Sequence, residues 1–303
     1  MKGAGTMRVG IDLGGHTMTM ASFDKELNIC EILHQETPSS RALSDVASVL
    51  EENLHYLLHG KNCDGIGLGV PGMMDRKRKK VFKLPNFPGW EGIEVPRVLE
   101  EILHVPVYME NDANCYALGE MNQGLGIGVD HFVVFTLGTG IGGGIISEGR
   151  LLTGSHGMAG ELGHIATGGS CPCGCGAVGH LETESGADGI ERKARKRGLH
   201  PSLLSLWKDR KEPQMAELWD NAFDSLARAI CSCIHILDPE LIILGGGISR
   251  AEGLLEDISP FLERYLVPSF RGKVRIQISK LGNRAAVIGA ASIVPVSHQV
   301  STD

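Results

Sequence analysis

A strand, a glycine-rich turn and a second strand occur twice in this sequence, and this repeat limits the possible folds more than any other feature. The first copy consists of Arg8–Leu13, Gly14-Gly15 and Thr17–Phe23, and the second of His131–Leu137, Gly138-Thr139-Gly140 and Ile141–Ser147. Short apolar runs bounded by glycine are typical of β-hairpins. A third strand is predicted after each copy, at Ile29–Glu36 and near Leu151. The repeat therefore predicts two related halves around a cleft.

Helical and strand-like segments alternate along the rest of the chain, which predicts an α/β fold. Apolar residues three or four positions apart predict helices at 43–57, 113–121, 183–197, 216–236, 254–266 and 285–293. Buried strands are predicted at Ile66–Val70, Val105–Glu110, Leu241–Leu244 and Val274–Ile278. A chain of 303 residues is long enough for two packed lobes. We expect a small N-terminal lobe at 1–118, completed by a C-terminal helix at 285–303, and a large lobe at 119–284, with a frayed tail at 297–303.

The composition excludes several classes of protein. No apolar run approaches the roughly 20 residues of a membrane helix, and the N-terminus lacks the apolar core of a signal peptide. A formal net charge of −7 argues against general nucleic-acid binding. We therefore expect a cytoplasmic protein with neither a membrane nor a nucleic acid as its partner.

The glycine turns raise the question of phosphate binding. Gly138, Gly140 and Gly143 satisfy a dinucleotide-binding pattern, but that pattern requires a helix after the turn, and a strand is predicted here. No Walker-type P-loop occurs in the chain. A tight hairpin still lets backbone N–H groups approach an anion, and each turn has a threonine beside it, Thr17 or Thr139. Two such turns facing each other across a cleft would clamp a polyphosphate.

Cysteine and histidine residues converge on one loop of the sequence. The five candidate ligands for a tetrahedral Zn²⁺ are His164, Cys171, Cys173, Cys175 and His180. In a reducing compartment such a cluster indicates a metal site rather than disulfide bonds. Cys231 and Cys233, by contrast, lie in a predicted helix and are expected in its core, and the basic run Arg76–Lys80 is expected to be a solvated hairpin.

Seven motifs occur in the order of a known family. They are Ile11-Asp12-Leu13-Gly14-Gly15, Gly69-Val70-Pro71-Gly72, Pro85-Asn86-Phe87-Pro88-Gly89-Trp90, Glu110-Asn111-Asp112-Ala113-Asn114, Leu137-Gly138-Thr139-Gly140-Ile141-Gly142-Gly143-Gly144, Gly160-Glu161-Leu162-Gly163-His164 and Leu244-Gly245-Gly246-Gly247. The set resembles the ROK family of sugar kinases and regulators, and its Pro-Asn-x-Pro-Gly-Trp variant is most similar to the bacterial glucokinases of that family. The resemblance implies a two-lobed, actin-like ATPase (ribonuclease H-like) fold with a cleft between the lobes.

The resemblance also implies roles for individual residues. Asp112 matches the general base, although an aspartate at the start of a helix also fits a plain N-cap. The positions that match sugar ligands are Asn86, Asn111, Asp112, Glu161, His164 and Glu182. The positions expected to hold ATP and Mg²⁺ are Asp12, Gly14, Gly15, Thr17, Gly138, Thr139, Gly140, Gly245, Gly246 and Gly247. His16 stands where the family usually has threonine, so Thr17 is expected to replace that side chain.

In the same family pattern, a structural Zn²⁺ is held by one histidine and three cysteines. Here His180 replaces the last cysteine, so the expected ligands are His164, Cys173, Cys175 and His180, with Cys171 in reserve. The zinc would hold the loop between the two sugar contacts Glu161 and Glu182.

The predicted activity is phosphorylation of the 6-hydroxyl of a hexose by ATP, with glucose as the leading substrate. The alternatives are a kinase for mannose, N-acetylmannosamine or N-acetylglucosamine, and a non-catalytic sugar-sensing protein. The family's repressors carry a DNA-binding segment ahead of the kinase-like fold, and the first strand at Arg8 leaves no room for one. A homodimer is what the resemblance implies.

Overall fold

The computed structural model describes residues 6–84, 86–200 and 202–296. Within these ranges the chain forms two compact units. Among the described residues, unit 1 comprises 6–127, 151–159 and 283–296, and unit 2 comprises 128–150 and 160–282. The lobe boundaries predicted from the sequence stay a proposal, and the predicted frayed tail at 297–303 lies outside the described residues.

The secondary structure alternates between strands and helices, as an α/β fold requires. The strands are β1 (Met7–Leu13), β2 (Thr17–Phe23), β3 (Ile29–Glu36), β4 (Cys63–Val70), β5 (Met73–Met74), β6 (Val81–Lys83), β7 (Val107–Asn111), β8 (Phe132–Leu137), β9 (Ile141–Ser147), β10 (Arg150–Leu151), β11 (Leu241–Gly245) and β12 (Arg275–Ile278). The helices are α1 (Leu43–Leu58), α2 (Val95–Leu103), α3 (Asp112–Gln123), α4 (Leu181–Ser185), α5 (Ala187–Lys196), α6 (Leu203–Lys208), α7 (Pro213–Leu237), α8 (Leu254–Tyr265) and α9 (Arg284–Ser292).

The sheet of unit 1 has the strand order β3-β2-β1-β4-β7. Strands β1 and β2 form the predicted antiparallel hairpin, and β1, β4 and β7 run parallel. Strand β1 is almost wholly apolar because it is buried on both faces, with Val9, Ile11 and Leu13 each no more than 1% exposed. The predicted apolar stripe of α1 is also in the core of this unit, which confirms the helix at 43–57.

The second sheet repeats this topology in the order β10-β9-β8-β11-β12. Strands β8 and β9 are antiparallel, and β8, β11 and β12 are parallel. Its core includes stacked aromatic rings, with the centroids of Trp219 and Phe223 5.6 Å apart. The duplicated strand-turn-strand pattern read from the sequence is therefore confirmed.

Helix α9 returns the end of the chain to unit 1, where it packs on α3 and β1. The contact is close because both helices carry glycine at the crossing. A methyl group at Gly119 would overlap the carbonyl of Ala285, and one at Gly289 would overlap the carbonyl of Cys115. The start of α3 is therefore held by direct contact of two backbones, which leaves little room for it to shift.

Several features depart from the sequence prediction. The helix predicted at 183–197 is two helices, α4 and α5, and α6 was not predicted. Helix α2 was not predicted, although Val95, Leu99 and Leu103 lie four residues apart and are all buried. The basic segment Arg76–Lys80 lies between β5 and β6, but its middle residue, Arg78, is not solvated like its neighbours. Within the described ranges, no helix is both long and apolar enough to cross a membrane.

Candidate active site

Two carboxylates lie at one edge of the sheet in unit 1, and we call this pair, Asp12 and Asp112, the acid edge. Asp12 is near the end of β1, and Asp112 directly follows β7. The strand between them is β4, where Gly69 pairs with Asp12 on one side and with Glu110 on the other. A methyl group at Gly69 would lie 3.3 Å from the Sγ of Cys115 and 3.6 Å from the Cα of Asp112, so β4 packs closely against the start of α3 at this point.

The environment of the acid edge raises the pKa of both carboxyl groups. Burial, together with the negative charge of Asp112, raises the pKa of Asp12 to about 7. Burial also raises the pKa of Asp112 to about 6, although N–H groups of the backbone oppose this shift. A carboxylate whose pKa lies near neutrality can accept a proton from a substrate and release it again.

A divalent cation fits this pair. The raised pKa values indicate that the two negative charges are under-compensated, and carboxylate oxygens are the ligands that Mg²⁺ prefers. Asp12 is the residue that would hold the ion, directly or through water.

Helix α3 is capped by Asn111 rather than by Asp112. The Oδ1 of Asn111 accepts hydrogen bonds from the backbone N–H groups of Ala113 at 2.9 Å and Asn114 at 3.0 Å. Its Nδ2 donates to the carbonyl of Gly72 at 3.2 Å. The N-cap interpretation of Asp112 is therefore wrong, although its Oδ1 also accepts the Ala113 N–H, at 2.8 Å. The proposed contact of Asn111 with a sugar stays a prediction.

The first glycine turn lies close to Asn86. The turn is closed by a hydrogen bond from the Gly14 N–H to the Thr17 carbonyl at 2.9 Å. Asn86 is exposed and has a left-handed φ of 72°, and its amide nitrogen would be 3.3 Å from a methyl group at Gly15. The exposed residues of the turn are His16 and Thr17. The sequence-predicted Asn86 is thus brought to the predicted nucleotide turn.

Two glycine segments meet at the corresponding edge of unit 2, and we call Gly138-Thr139-Gly140 and Gly245-Gly246-Gly247 the glycine edge. Gly246 has a φ of +84°, and a methyl group there would overlap the carbonyl of Leu137. The carbonyls of Gly138 and Thr139 accept hydrogen bonds from the first N–H groups of α5, at 3.0 and 3.1 Å. The turn is therefore rigid, and Thr139 remains exposed.

A groove of about 1170 Å³ begins beside Gly247 in the same unit. Its walls include Leu203 and Trp207, and its side is closed by Arg210. The guanidinium of Arg210 lies 4.4 Å from the Trp207 ring centre, and its Nε is 2.6 Å from a carboxylate oxygen of Asp257. Volume and mixed lining are sufficient for a nucleoside-sized ligand.

The predicted metal ligands His164, Cys173, Cys175 and His180 form one cluster, in which the four donor atoms all lie within 4.8 Å of one another. The Nδ1 atoms of the two histidines are 3.1 Å apart, and the Sγ of Cys175 is 3.4 Å from the Nδ1 of His180. Two sulfur and two imidazole donors at these separations fit a tetrahedral Zn²⁺. Cys171, the reserve ligand, does not belong to the group found among the described residues.

The two acids predicted to bind sugar border this cluster. The Sγ of Cys173 donates to Glu182 Oε1 at 2.7 Å, and His164 Nε2 is 3.9 Å from Glu161 Oε2. The other oxygen of Glu182 would be 3.0 Å from a methyl group at Gly140. Glu182 therefore lies between the metal cluster and the glycine edge, so the shape of the loop controls where its carboxylate points.

Sequence reasoning missed a buried ion pair behind the acid edge. Arg78 Nε lies 2.8 Å from Glu110 Oε2, and the two side chains are 15% and 8% exposed. The expectation that all of Arg76–Lys80 faces solvent is therefore wrong for Arg78. A glutamate predicted inside a buried strand is itself a signal, because such a charge requires a cationic partner.

Known proteins are similar to this chain over most of its length. The model of the ROK family matches residues 8–296. The glucokinase of Thermotoga maritima is 36% identical over 94% of this chain and 96% of its own length, and the N-acetylmannosamine kinase of Salmonella heidelberg is 28% identical over 93% and 96%.

Solved structures of ROK proteins are also similar to this chain. The ROK hexokinase of Thermus thermophilus superposes with a TM-score of 0.83 at 32% identity, over 94% of this chain and 97% of that one. A ROK glucokinase of Streptomyces griseus in complex with glucose and AMPPNP superposes with a TM-score of 0.81 at 26% identity, over 95% and 99%. The predicted actin-like ATPase fold is confirmed, and the chain belongs to the ROK family.

Proposed function

We propose that this protein is an ATP-dependent hexose kinase that phosphorylates the 6-hydroxyl of glucose, with Asp112 as its general base. The observation that carries the proposal is the state of that carboxylate. It directly follows the parallel strand β7, is not used as the helix cap, and has a pKa raised to about 6. Backbone N–H groups at a helix start normally hold an aspartate in its ionised form. The Oδ1 of Asp112 also accepts the Ala113 N–H, at 2.8 Å, but burial outweighs that effect.

Phosphoryl transfer needs little from the protein beyond positioning of the reactants and neutralisation of phosphate charge. As the sugar oxygen forms its bond to the γ-phosphorus, its proton passes to Asp112, and the bond from that phosphorus to the bridging oxygen of ADP breaks. Asp112 later releases the proton to solvent. Ionised Asp112 is the reactive form, so its pKa of about 6 keeps most of it ready at neutral pH.

Backbone N–H groups are the proposed ligands of the phosphates. Those of the glycine edge belong to unit 2, and those of Gly14, Gly15 and Thr17 belong to unit 1. The groove beside Gly247 would take the nucleoside, with Trp207 as its aromatic wall. Asp12 would hold Mg²⁺, which when bound neutralises phosphate charge.

Zinc has a structural part in the proposal. His164, Cys173, Cys175 and His180 would hold one Zn²⁺, and the ion would fix the loop that carries Glu161 and Glu182. These two acids, with Asn86, Asn111 and His164, are the proposed partners of the sugar hydroxyls. Carboxylates and amides suit hydroxyl recognition because a sugar analogue without the matching group leaves them unpaired.

Glucose is favoured over other sugars by the relative at 36% identity, whose name is glucokinase. The rival substrate class is the N-acetylhexosamines, which the name of the 28% relative supports. A cytoplasmic location and a homodimer complete the proposal.

The test is a coupled assay of ADP release with purified protein, ATP, Mg²⁺ and a panel of glucose, mannose, N-acetylglucosamine and N-acetylmannosamine. We expect the highest kcat/KM for glucose and no sugar-dependent ADP release with 6-deoxyglucose. A higher kcat/KM for an N-acetylhexosamine would overturn the substrate, and ADP release with none of the sugars would overturn the kinase activity.

A further inference from the structure

The exposed basic hairpin between β5 and β6 contains one residue that differs from its neighbours. Arg76, Lys77, Lys79 and Lys80 are exposed, whereas the side chain of Arg78 is 15% exposed. The turn itself is fixed by Asp75, whose Oδ1 accepts the backbone N–H groups of Lys79 at 2.7 Å and Lys80 at 2.8 Å. Arg78 has a left-handed φ of 56°, a conformation that a non-glycine residue keeps only where its surroundings enforce it.

The surroundings that hold Arg78 are two acceptors far away in the sequence. Its Nε donates to Glu110 Oε2 at 2.8 Å, and its Nη1 donates to the carbonyl of Gly157 at 2.6 Å. Glu110 is 32 residues from Arg78, and Gly157 is 79 residues away. A single guanidinium thus joins the hairpin, strand β7 and the segment 151–159, and its rigid fork suits two acceptors at once.

Glu110 passes this constraint to the start of α3. Its second oxygen, Oε1, accepts the backbone N–H of Asn111 and the side-chain Nδ2 of Asn114, both at 2.9 Å. Asn111 is the cap of α3, and Asn114 lies in its first turn. Asp112 lies between these two anchored residues.

From this chain of contacts we infer that Arg78 is a positioning residue for Asp112. It neutralises Glu110 and fixes that carboxylate, which in turn holds the two residues on either side of the base. Glu110 is only 6% exposed, so without Arg78 its carboxylate would be left without its cation. The first turn of α3 would then lose its geometry at the point where the proton is transferred. A displacement of about 1 Å at a reacting group is enough to cost about 10²-fold in rate.

The inference rests on the proposed function, and the test therefore compares variants with the wild-type enzyme in the same assay. The variants are Arg78→Met, Arg78→Lys and the double variant Arg78→Met/Glu110→Gln, which removes the unpaired buried charge. Lys79→Met is the matched control, since it removes one cation from the exposed surface of the same hairpin. The readouts are kcat, KM for the sugar, KM for ATP, and the thermal unfolding midpoint.

We expect Arg78→Met to lower kcat by about 10²-fold while the KM for ATP stays within about threefold, because positioning of the base acts on the chemical step. The KM for the sugar is expected to rise as well, since Glu110 also holds Asn111, a proposed sugar contact. Arg78→Lys keeps the charge without the fork, and we expect it to recover part of the lost kcat. In the double variant the unfolding midpoint should return toward the wild-type value while kcat stays at least about tenfold low. Lys79→Met should match the wild type.

A wild-type kcat in the double variant, or in a folded Arg78→Met protein, would overturn the positioning role and leave the proposed function intact. A loss confined to KM would overturn it as well. If Arg78→Met does not fold, the double variant decides. A wild-type protein that phosphorylates no sugar would overturn the proposed function and the role of Arg78 with it.

Discussion

The two sheets have the same strand order but end in different residues. In unit 1, β1 carries Asp12 two positions before the glycine turn, whereas in unit 2 β8 carries Thr136 at that place. The neighbouring strand pairs Gly69 with Asp12 in one sheet and Gly245 with Thr136 in the other. The same topology thus places carboxylates at the strand ends of the unit 1 sheet and glycine backbone at the strand ends of the unit 2 sheet.

The difference shows that two copies of one topology can carry different chemical groups at equivalent positions. The acid edge places two ionisable groups where burial raises their pKa, which favours proton transfer but disfavours the ionised form during folding. The glycine edge carries no charge on its side chains and offers close approach to backbone N–H groups. If this comparison is correct, substitutions at the acid edge should act on the chemical step, and substitutions at the glycine edge should act on packing and nucleotide binding.

Replacement of the base should have the largest effect. Asp112→Asn keeps the shape of the side chain but cannot accept the proton, so we expect kcat to fall by about 10²–10⁴-fold. The matched control is Asp45→Asn, which changes an exposed aspartate in the first turn of α1. Steady-state assays of both variants decide, and comparable kcat values for the two would remove the distinction between the acid edge and an ordinary helix start.

The equivalent positions Asp12 and Thr136 test the comparison directly. We expect Asp12→Asn to lower kcat by about 10²-fold and to raise the Mg²⁺ concentration needed for half-maximal rate, because it removes a negative ligand from the ion. Thr136→Val should change kcat by less than about threefold, since its hydroxyl has no part in this role. Mg²⁺ titrations of both variants provide the measurement, and equal sensitivity would mean that the two edges are not specialised.

Neighbouring glycines of the glycine edge should differ in their tolerance of a methyl group. Gly246→Ala requires a left-handed backbone and overlaps the Leu137 carbonyl, so we expect a loss of about 2 kcal/mol or more in the free energy of unfolding. Gly247 has a φ of −65° and open space around it, so Gly247→Ala should stay within about 0.5 kcal/mol of the wild type. Urea unfolding of both variants provides the comparison, and equal losses would show that Gly246 is not fixed against β8.

Removal of zinc should have the smallest effect on activity. We expect about one zinc per chain by elemental analysis, and chelation should raise the KM for sugar by about tenfold with the KM for ATP unchanged. Cys175→Ser should lose the metal, whereas Cys171→Ser should retain it because Cys171 lies outside the cluster. Metal-free protein with an unchanged KM for sugar would contradict the role of this loop.

What the sequence predicted was local. The hairpins follow from short apolar runs bounded by glycine, and α1 follows from apolar residues three or four positions apart; any short window reveals both patterns. Helix α2 was missed because Pro96 stands near its beginning, although proline is accepted in the first turn of a helix. The cluster of His164, Cys173, Cys175 and His180 followed from the types and spacing of the donors together with the family pattern.

What the sequence did not reveal depends on contacts between distant segments. Arg78 and Glu110 are 32 residues apart, and nothing near Arg78 distinguishes it from the cations on either side. The sequence also did not show which of Asn111 and Asp112 caps the helix, because either residue type is a good N-cap. Only the geometry assigns the cap to Asn111 and places Asp112 in the first turn of the helix.

We expect the buried carboxylate of Asp112 to lower the free energy of unfolding at neutral pH. Because the pKa of Asp112 is about 6 in the folded protein and lower in an unfolded chain, its contribution to stability is present at low pH and is lost as the pH rises through about 6. An asparagine at this position carries no charge at any pH, so Asp112→Asn escapes this loss.

The most direct test is therefore urea unfolding of the wild type and of Asp112→Asn at pH 5 and pH 8. At pH 8 the inactive variant should be more stable than the wild type by about 1–3 kcal/mol, and its advantage should shrink at pH 5. A variant that is less stable than the wild type at pH 8, or an advantage independent of pH, would contradict the account.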